Sequence, residues 1–230
     1  MRAFIALELP EDVRRALGAA QCRLAASQAD VKWVAVAHLH LTLKFLGEIT
    51  EEQRAQVVRL LKALASTTAP LRLRFTGLGS FPTQRAPRVL WVGVEDETQQ
   101  LPRLAAALGR GLASLACGER DERFVAHVTL GRVRSPRNRA GGPAGGRGGE
   151  AGRPPRPAFR SHPDGGCYRR ADDADRPANR AQLTRQLAEV AWTPPPSFAV
   201  LGVTLMQSVL SSTGSTYTPL AQLPFSGQGE

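Results

Sequence analysis

The sequence predicts one domain of mixed strands and helices in which a β-α-β-type unit is used twice. Three observations carry this expectation. Apolar residues recur with period 2 and period 3.6 in turn along the chain; each unit holds one strand reading His-x-Thr-Leu; and after residue 134 the composition breaks into a Gly- and Arg-rich stretch belonging to neither unit.

Arg2 to Leu7 reads as a strand, and Glu11 to Ala26 spaces Val13, Leu17 and Leu24 as a helix after an acidic first turn. Val31 to Val36 is a short strand. His38 to Leu46 alternates cleanly, with His38, His40, Thr42 and Lys44 on one face and Leu39, Leu41, Leu43 and Phe45 on the other. Thr50 and Gln53 form a capping-box pattern ahead of a helix reaching about Ala65. Leu71 to Phe75 and Arg88 to Val94 follow as strands around a Gly- and Pro-punctuated turn. Leu101 to Leu115 is a helix and Phe124 to Val133 a strand. Residues 135–177 hold almost no aliphatic side chains, so they cannot bury enough apolar surface to offset chain entropy and are expected to form a disordered insertion. A helix from about Asn179 to Ala191, strands Phe198 to Ser208 and Thr216 to Leu223, and a tail at 226–230 complete the chain.

The formal charge of +10 suggests an anionic partner, but between Arg134 and Arg180 there are 11 arginines and 5 acids, so +6 of it lies in one segment. The basic balance therefore says little about the surface of the folded part. Cys22, Cys117 and Cys167 are an odd number without C-x-x-C spacing, which argues against a disulfide framework and a structural zinc site; Cys22 and Cys117 read as core. The N-terminus lacks a signal-peptide core and no apolar run could span a bilayer, so a cytoplasmic protein with no membrane partner is expected.

Four histidines and 14 threonines in 230 residues would give His-x-Thr about 0.24 times by chance. It occurs twice, each time with Leu next: His40-Leu41-Thr42-Leu43 and His127-Val128-Thr129-Leu130. Residues two apart on a strand point the same way, so each motif presents an imidazole and a hydroxyl to one surface. Two such strands facing across a cleft suit phosphodiester cleavage. One imidazole can take a proton while the other gives one near neutral pH, and the threonine hydroxyls can donate to non-bridging phosphate oxygens. No acid lies within either motif, which removes the usual partner of a metal or of a Ser-His-Asp arrangement.

The stretches His40 to Glu48 and Arg123 to Arg132 resemble the paired motifs of the two-histidine phosphoesterases. Within these, the chain is similar to the LigT-like RNA 2′,3′-cyclic phosphodiesterases of bacteria and archaea, earlier described as 2′-5′ RNA ligases. The similarity extends to Phe4 through Pro10, to Phe81 through Val94 and to Gln207 through Tyr217, nearly everything except 135–177. The resemblance implies a bilobal α+β fold of two antiparallel-sheet lobes with outer helices around a central cleft, formed by residues 1–134 and 178–225. It also implies hydrolysis of a terminal 2′,3′-cyclic phosphate to a 2′-phosphomonoester, no metal or cofactor, and a monomer acting on RNA ends, tRNA fragments being one candidate. His40 would be the proton donor, His127 the proton acceptor, and Arg132 a phosphate ligand. Strand parity sets Arg132 on the face opposite His127, so that role needs a twist or bulge near Gly131. The chain departs from the family pattern at Ala126, where Pro is usual, and at His38, where Asn is common.

Lys44 shares the expected face of His40 and is a candidate phosphate ligand. Phe45 is a candidate base-stacking residue, since it occupies in the first motif the position of Arg132 in the second. His38 with His40 is a His-x-His pair that could ligate zinc, but no third ligand is evident. Joining RNA through a 2′-5′ linkage uses the same groups in reverse, and an idle RNA-binding module relying on the Arg-rich segment is the rival of a different class.

Overall fold

The computed structural model describes residues 1–118, 124–134, 160–161, 167–168, 177–189, 192–210 and 215–227. Strands β1 (Arg2–Glu8), β2 (Val31–Trp33), β3 (His40–Glu48), β4 (Leu71–Thr83), β5 (Ala86–Asp96), β6 (His127–Val133), β9 (Phe198–Val200), β10 (Gly202–Leu210) and β11 (Ser215–Pro224) build one sheet. Its path runs β11-β10-β1-β3-β6-β5-β4-β9, β2 adds to β6, and every pairing is antiparallel. The two expected lobes are the two halves of this path, and they meet at one residue pair, Leu41 with Val128 on β3 and β6.

The repeated plan survives in a changed form. In the first half β1, helix α1 (Glu11–Ala25) and β3 follow one another, and in the second β5, helix α3 (Gln100–Ser114) and β6 do so. In each half the two strands lie side by side and antiparallel rather than parallel. Helix α2 (Glu51–Thr67) carries the expected capping box, with the Gln53 amide donating to Thr50 Oγ1 (3.1 Å) and the Thr50 amide to Gln53 Oε1 (2.9 Å). Leu17 and Leu24 of α1, Val57 and Leu61 of α2, and Leu101, Leu104, Leu108 and Leu112 of α3 join one core with Ile5, Leu7, Leu41, Leu90, Val92, Val128 and Leu130. At about 25 cal/mol per Å² of apolar surface, this burial is the main favourable contribution to the fold.

Several boundaries differ from the sequence expectation, β2 stopping at Trp33 and β6 starting at His127 among them, and three differences have a clear physical reason. The turn expected after Phe75 is a continuous hairpin of β4 and β5, because Gly77 lies at a bulge and Pro82 lies where, among the described residues, β4 has no partner strand on its other side. The strand expected from Phe198 to Ser208 is split at Leu201: β9 pairs with β4 and β10 with β1. One residue thus links strands that are far apart along the path, so the sheet must curl until these regions approach. His38 ends a 3₁₀ turn (Val36–His38), and β3 starts at His40.

Of the segment 135–177, only 160–161, 167–168 and Pro177 are described. Strands β7 (Arg160–Ser161) and β8 (Cys167–Tyr168) pair with each other and stay outside the main sheet, and helix α4 (Pro177–Glu189) starts at its end. The rest of the expected disordered insertion lies outside the described residues. Cys22 is disulfide-bonded, against both the expectation drawn from the odd cysteine count and the reading of Cys22 as plain core, while Cys117 is free and buried. The start of the expected tail docks on the end of α2, with the Ser226 amide donating to the Ala65 carbonyl (3.1 Å) and the Gly227 amide to that of Thr68 (3.0 Å).

Candidate active site

The single pair joining the two halves places the motifs together. Counting outward from Leu41 and Val128 in an antiparallel ladder, His40 comes opposite Thr129 and Thr42 opposite His127. Opposed residues share a face, so both imidazoles and both hydroxyls gather on one side of the sheet. Leu41 and Val128 point the other way and are fully buried in the core.

The two rings are held alike. His40 Nδ1 lies 2.7 Å from the His38 carbonyl oxygen, and His127 Nδ1 lies 2.7 Å from that of Val125. A carbonyl can only accept, so Nδ1 carries the proton in both rings and Nε2 is left for chemistry. Each ring is also packed by aromatics. Phe4 stacks on His40 at 4.9 Å between centroids and Tyr217 meets it edge-on at 5.4 Å; Phe81 meets His127 edge-on at 5.2 Å, with Trp91 at 6.2 Å. The Trp91 indole can lie there because its ladder partner is Gly79, where a Cβ would collide with the ring.

Burial among these rings pushes the pKa of His40 below the ordinary imidazole value, and nearby His38 acts in the same direction. The bond to the His38 carbonyl and the Glu8 carboxylate pull the other way. Glu8 is the ladder partner of His40 on β1, and its Oε1 accepts from Thr204 Oγ1 (2.6 Å) and Gln222 Nε2 (2.9 Å).

Register shifts decide which later residues join the histidine face. On β6, Trp91 pairs with Thr129 but Leu90 pairs with Gly131, so Leu130 is an extra, bulged residue. Arg132 then lies opposite Val89, two residues from Trp91, and so returns to the face of His127 and Thr129. The bulge that strand parity demanded is present, one residue before Gly131. On β3, Ala6 pairs with Thr42 but Ile5 pairs with Lys44, which makes Leu43 the corresponding bulge. Phe45 thereby joins the histidine face beside Phe4, at 6.1 Å between rings, and is 47% exposed. Lys44 does not join it: it lies opposite core-facing Ile5, and a Cβ at Gly118, beyond α3, would lie 3.4 Å from Lys44 Cε.

The β6 bulge is secured by a buried side chain. The Leu130 carbonyl accepts from Gln21 Nε2 (2.9 Å) and the Val34 amide (2.9 Å), and Gln21 Nε2 also donates to the Val34 carbonyl (2.8 Å). Gln21 is 2% exposed. Gln21→Leu should lower the free energy of unfolding by about 1–3 kcal/mol, since it takes the side-chain donor from the Val34 carbonyl and leaves the Leu130 carbonyl with the Val34 amide alone. A urea midpoint equal to wild type at unchanged m would contradict this.

Sequence reasoning missed Glu8, Phe4, Phe81 and Trp91 around the rings, because their elements meet only in the folded sheet. Alternation along β1 put Phe4, Ala6 and Glu8 on one face, which was the available signal. Among the described residues no group of three or more His, Cys, Asp or Glu is gathered to hold a metal ion.

A family model described as LigT like phosphoesterase matches residues 7–91. The RNA 2′,3′-cyclic phosphodiesterase of Archaeoglobus fulgidus is 37% identical over 134 residues, 58% of this chain and 73% of that protein. That of Thermus thermophilus is 39% identical over 142 residues, 59% and 70% of the two chains. That of Aquifex aeolicus is 39% identical over 105 residues, 45% of this chain and 56% of the relative. A crystal structure of a Thermus thermophilus protein superposes with a TM-score of 0.68 at 29% identity, covering 100% of both chains. E. coli LigT complexed with 3′-AMP shares the fold, with a TM-score of 0.63 at 24% identity over 97% of both chains. With this sequence similarity and this sheet, the chain belongs to the LigT-like phosphoesterase family.

Proposed function

We propose that this protein hydrolyses the 2′,3′-cyclic phosphate at an RNA end to a 2′-phosphomonoester, without a metal. The observation that carries the reading is the matched setting of the rings, in which Nδ1 of each is bound to a carbonyl and Nε2 of each is left from adjoining strands. His127 Nε2 takes a proton from water as the water oxygen attacks phosphorus. The bond from phosphorus to O3′ breaks, and O3′ takes the proton on His40 Nε2, leaving a free 3′-hydroxyl and a phosphate on O2′. Exchange with solvent then returns the proton to His40 and removes that on His127. Thr42 and Thr129 donate to the non-bridging oxygens, while Arg132 and Phe45 meet the RNA from the same face.

One chain supplies all of these groups, so the proposed unit is a monomer formed by residues 1–134 and 178–225, with 135–177 as an insertion outside it. Among the described residues no helix is long and apolar enough to cross a membrane. We place the protein in the cytoplasm, where RNA ends of this kind, tRNA fragments among them, would be its substrates.

The setting of His40 gives a directional test. The donor must be protonated, burial lowers its pKa, and donor-competent protein is lost as pH rises through that lowered value. A bound phosphate anion favours the imidazolium and raises it again. The alkaline limb of kcat/KM, which reports free protein, should therefore lie at lower pH than that of kcat, which reports the complex. Coincident limbs, or the opposite order, would count against His40 as donor.

A further inference from the structure

The ladder of β2 and β6 continues the histidine face outward from Thr129. Its register pairs Val31 with Val133, Lys32 with Arg132 and Trp33 with Gly131. Val31 and Trp33 pack against the core, and both lie beside Gly131, where a Cβ would meet Val31 Cγ1 at 2.7 Å and Trp33 at 2.9 Å. Lys32 and Arg132 therefore point together to the opposite, histidine side, and both are exposed. One step further out on that side, Asp30 and Arg134 form an ion pair at 3.8 Å. The outer pair is neutralised; the inner pair, nearer the histidines, sets two cations directly opposite each other. Neither Lys32 nor Arg132 has an ion pair among the described residues.

Like charges opposed across a ladder destabilise it, and an acid at either position would relieve the repulsion. An anion seated between the two side chains relieves it as well. Arg132 stands four ladder positions from His127 once the bulge is discounted, roughly 13 Å along the strand. A phosphate between the two Nε2 atoms leaves the Lys32–Arg132 gap for a different phosphate of the same strand. We propose that Lys32 and Arg132 form a second phosphate subsite, which takes a phosphodiester linkage of the RNA beyond the reacting cyclic phosphate and so favours oligonucleotides over cyclic mononucleotides. This rests on the proposed function and deepens it.

The test compares wild type, Lys32→Gln, Lys32→Glu and Lys32→Arg in the full chain. Two readouts are used: the ratio of kcat/KM for a short RNA ending in a 2′,3′-cyclic phosphate to that for a nucleoside 2′,3′-cyclic phosphate, and the salt dependence of binding of the same RNA ending in a 2′-phosphate. Lys32→Gln should lower the ratio by about fivefold, the effect of one exposed charge contact. The slope of log affinity against log salt should become shallower by about 0.7, one phosphate contact on a single strand. Lys32→Glu can pair with Arg132 and close the subsite, so its ratio should fall further, while Lys32→Arg should keep both values. An unchanged ratio and slope in folded Lys32→Gln would overturn the subsite. A wild type that binds the RNA with the expected slope but turns over neither substrate would instead overturn the proposed function and leave the subsite standing.

Discussion

Replacing His127 or His40 by Ala should reduce single-turnover hydrolysis of a 2′,3′-cyclic phosphate by at least about 10²–10⁴-fold, the usual contribution of a positioned general acid or base. Each ring is tied to its own strand by Nδ1, so removing it deletes one proton-transfer group and leaves the other half of the site in place. Substrate affinity should change much less, because on the proposed reading Thr42, Thr129 and Phe45 still meet the ligand. Loss of His40 should be severe in its own right. The ring of a cyclic phosphate is strained, but its leaving oxygen is still a poor alkoxide that needs a proton. Thr42→Ala and Thr129→Ala should cost far less than either histidine, since each removes one hydrogen-bond donor and no proton-transfer group. The double variant His40→Ala with His127→Ala should lose less than the product of the single losses, because the two groups act in one step. A single histidine variant within a few-fold of wild type would remove the two-histidine mechanism.

The second large effect concerns the joint between the halves. Leu41 is fully buried and forms, with Val128, the one ladder pair that joins β3 to β6. Leu41→Ala should lower the free energy of unfolding by about 2–5 kcal/mol, as the lost transfer free energy of the side chain adds to the cost of the cavity left behind. The same change loosens the spacing of His40 and His127, which flank this pair. Activity measured where the variant is fully folded should therefore fall as well, with kcat affected more than KM. Val57→Ala on α2 is the control, being fully buried but on a helix outside the sheet ladder that joins the halves. It should cost stability without a matching loss of kcat. Equal kcat losses from both variants would show that Leu41 supports the fold without any special part in the site.

Much of this was legible in the sequence, and the exceptions share a cause. Period-2 alternation found β3 and β6, and 3.6-residue spacing found the helices, because each of these elements buries one face, whereas β1, buried on both faces, was legible as a short apolar run. The doubled His-x-Thr-Leu pattern points to the face on which the structure gathers His40, Thr42, His127 and Thr129. Alternation alone set Lys44 beside His40 and Phe45 behind it, and the bulges at Leu43 and Leu130 exchange those positions. A bulge appears only when a strand is compared with its neighbour, so no periodicity within one strand can reveal it. For Arg132 the parity conflict was itself the signal, since a residue wanted on the wrong face implies an inserted one. The glycines and prolines between Phe75 and Arg88 read as a turn because their tolerance on an unpaired edge depends on which strand lies alongside. Glu8 and Tyr217 meet His40 through the pairing of β1 with β3 and the approach of β11, and strand parity, which sets Glu8 on the face of Phe4, does not encode which strands lie alongside.

The central claim is the direction of ring opening by two imidazoles, and the identity of the product tests it most directly. Purified protein is incubated in EDTA with a short RNA ending in a 2′,3′-cyclic phosphate, and the position of the phosphate on the product is determined by its resistance to enzymes specific for 3′-phosphates and by phosphorus NMR. The expected result is a 2′-phosphomonoester formed at the rate seen without EDTA. A 3′-phosphate would contradict the assignment of O3′ as the leaving oxygen, and loss of activity in EDTA would contradict a mechanism carried by His40 and His127 alone.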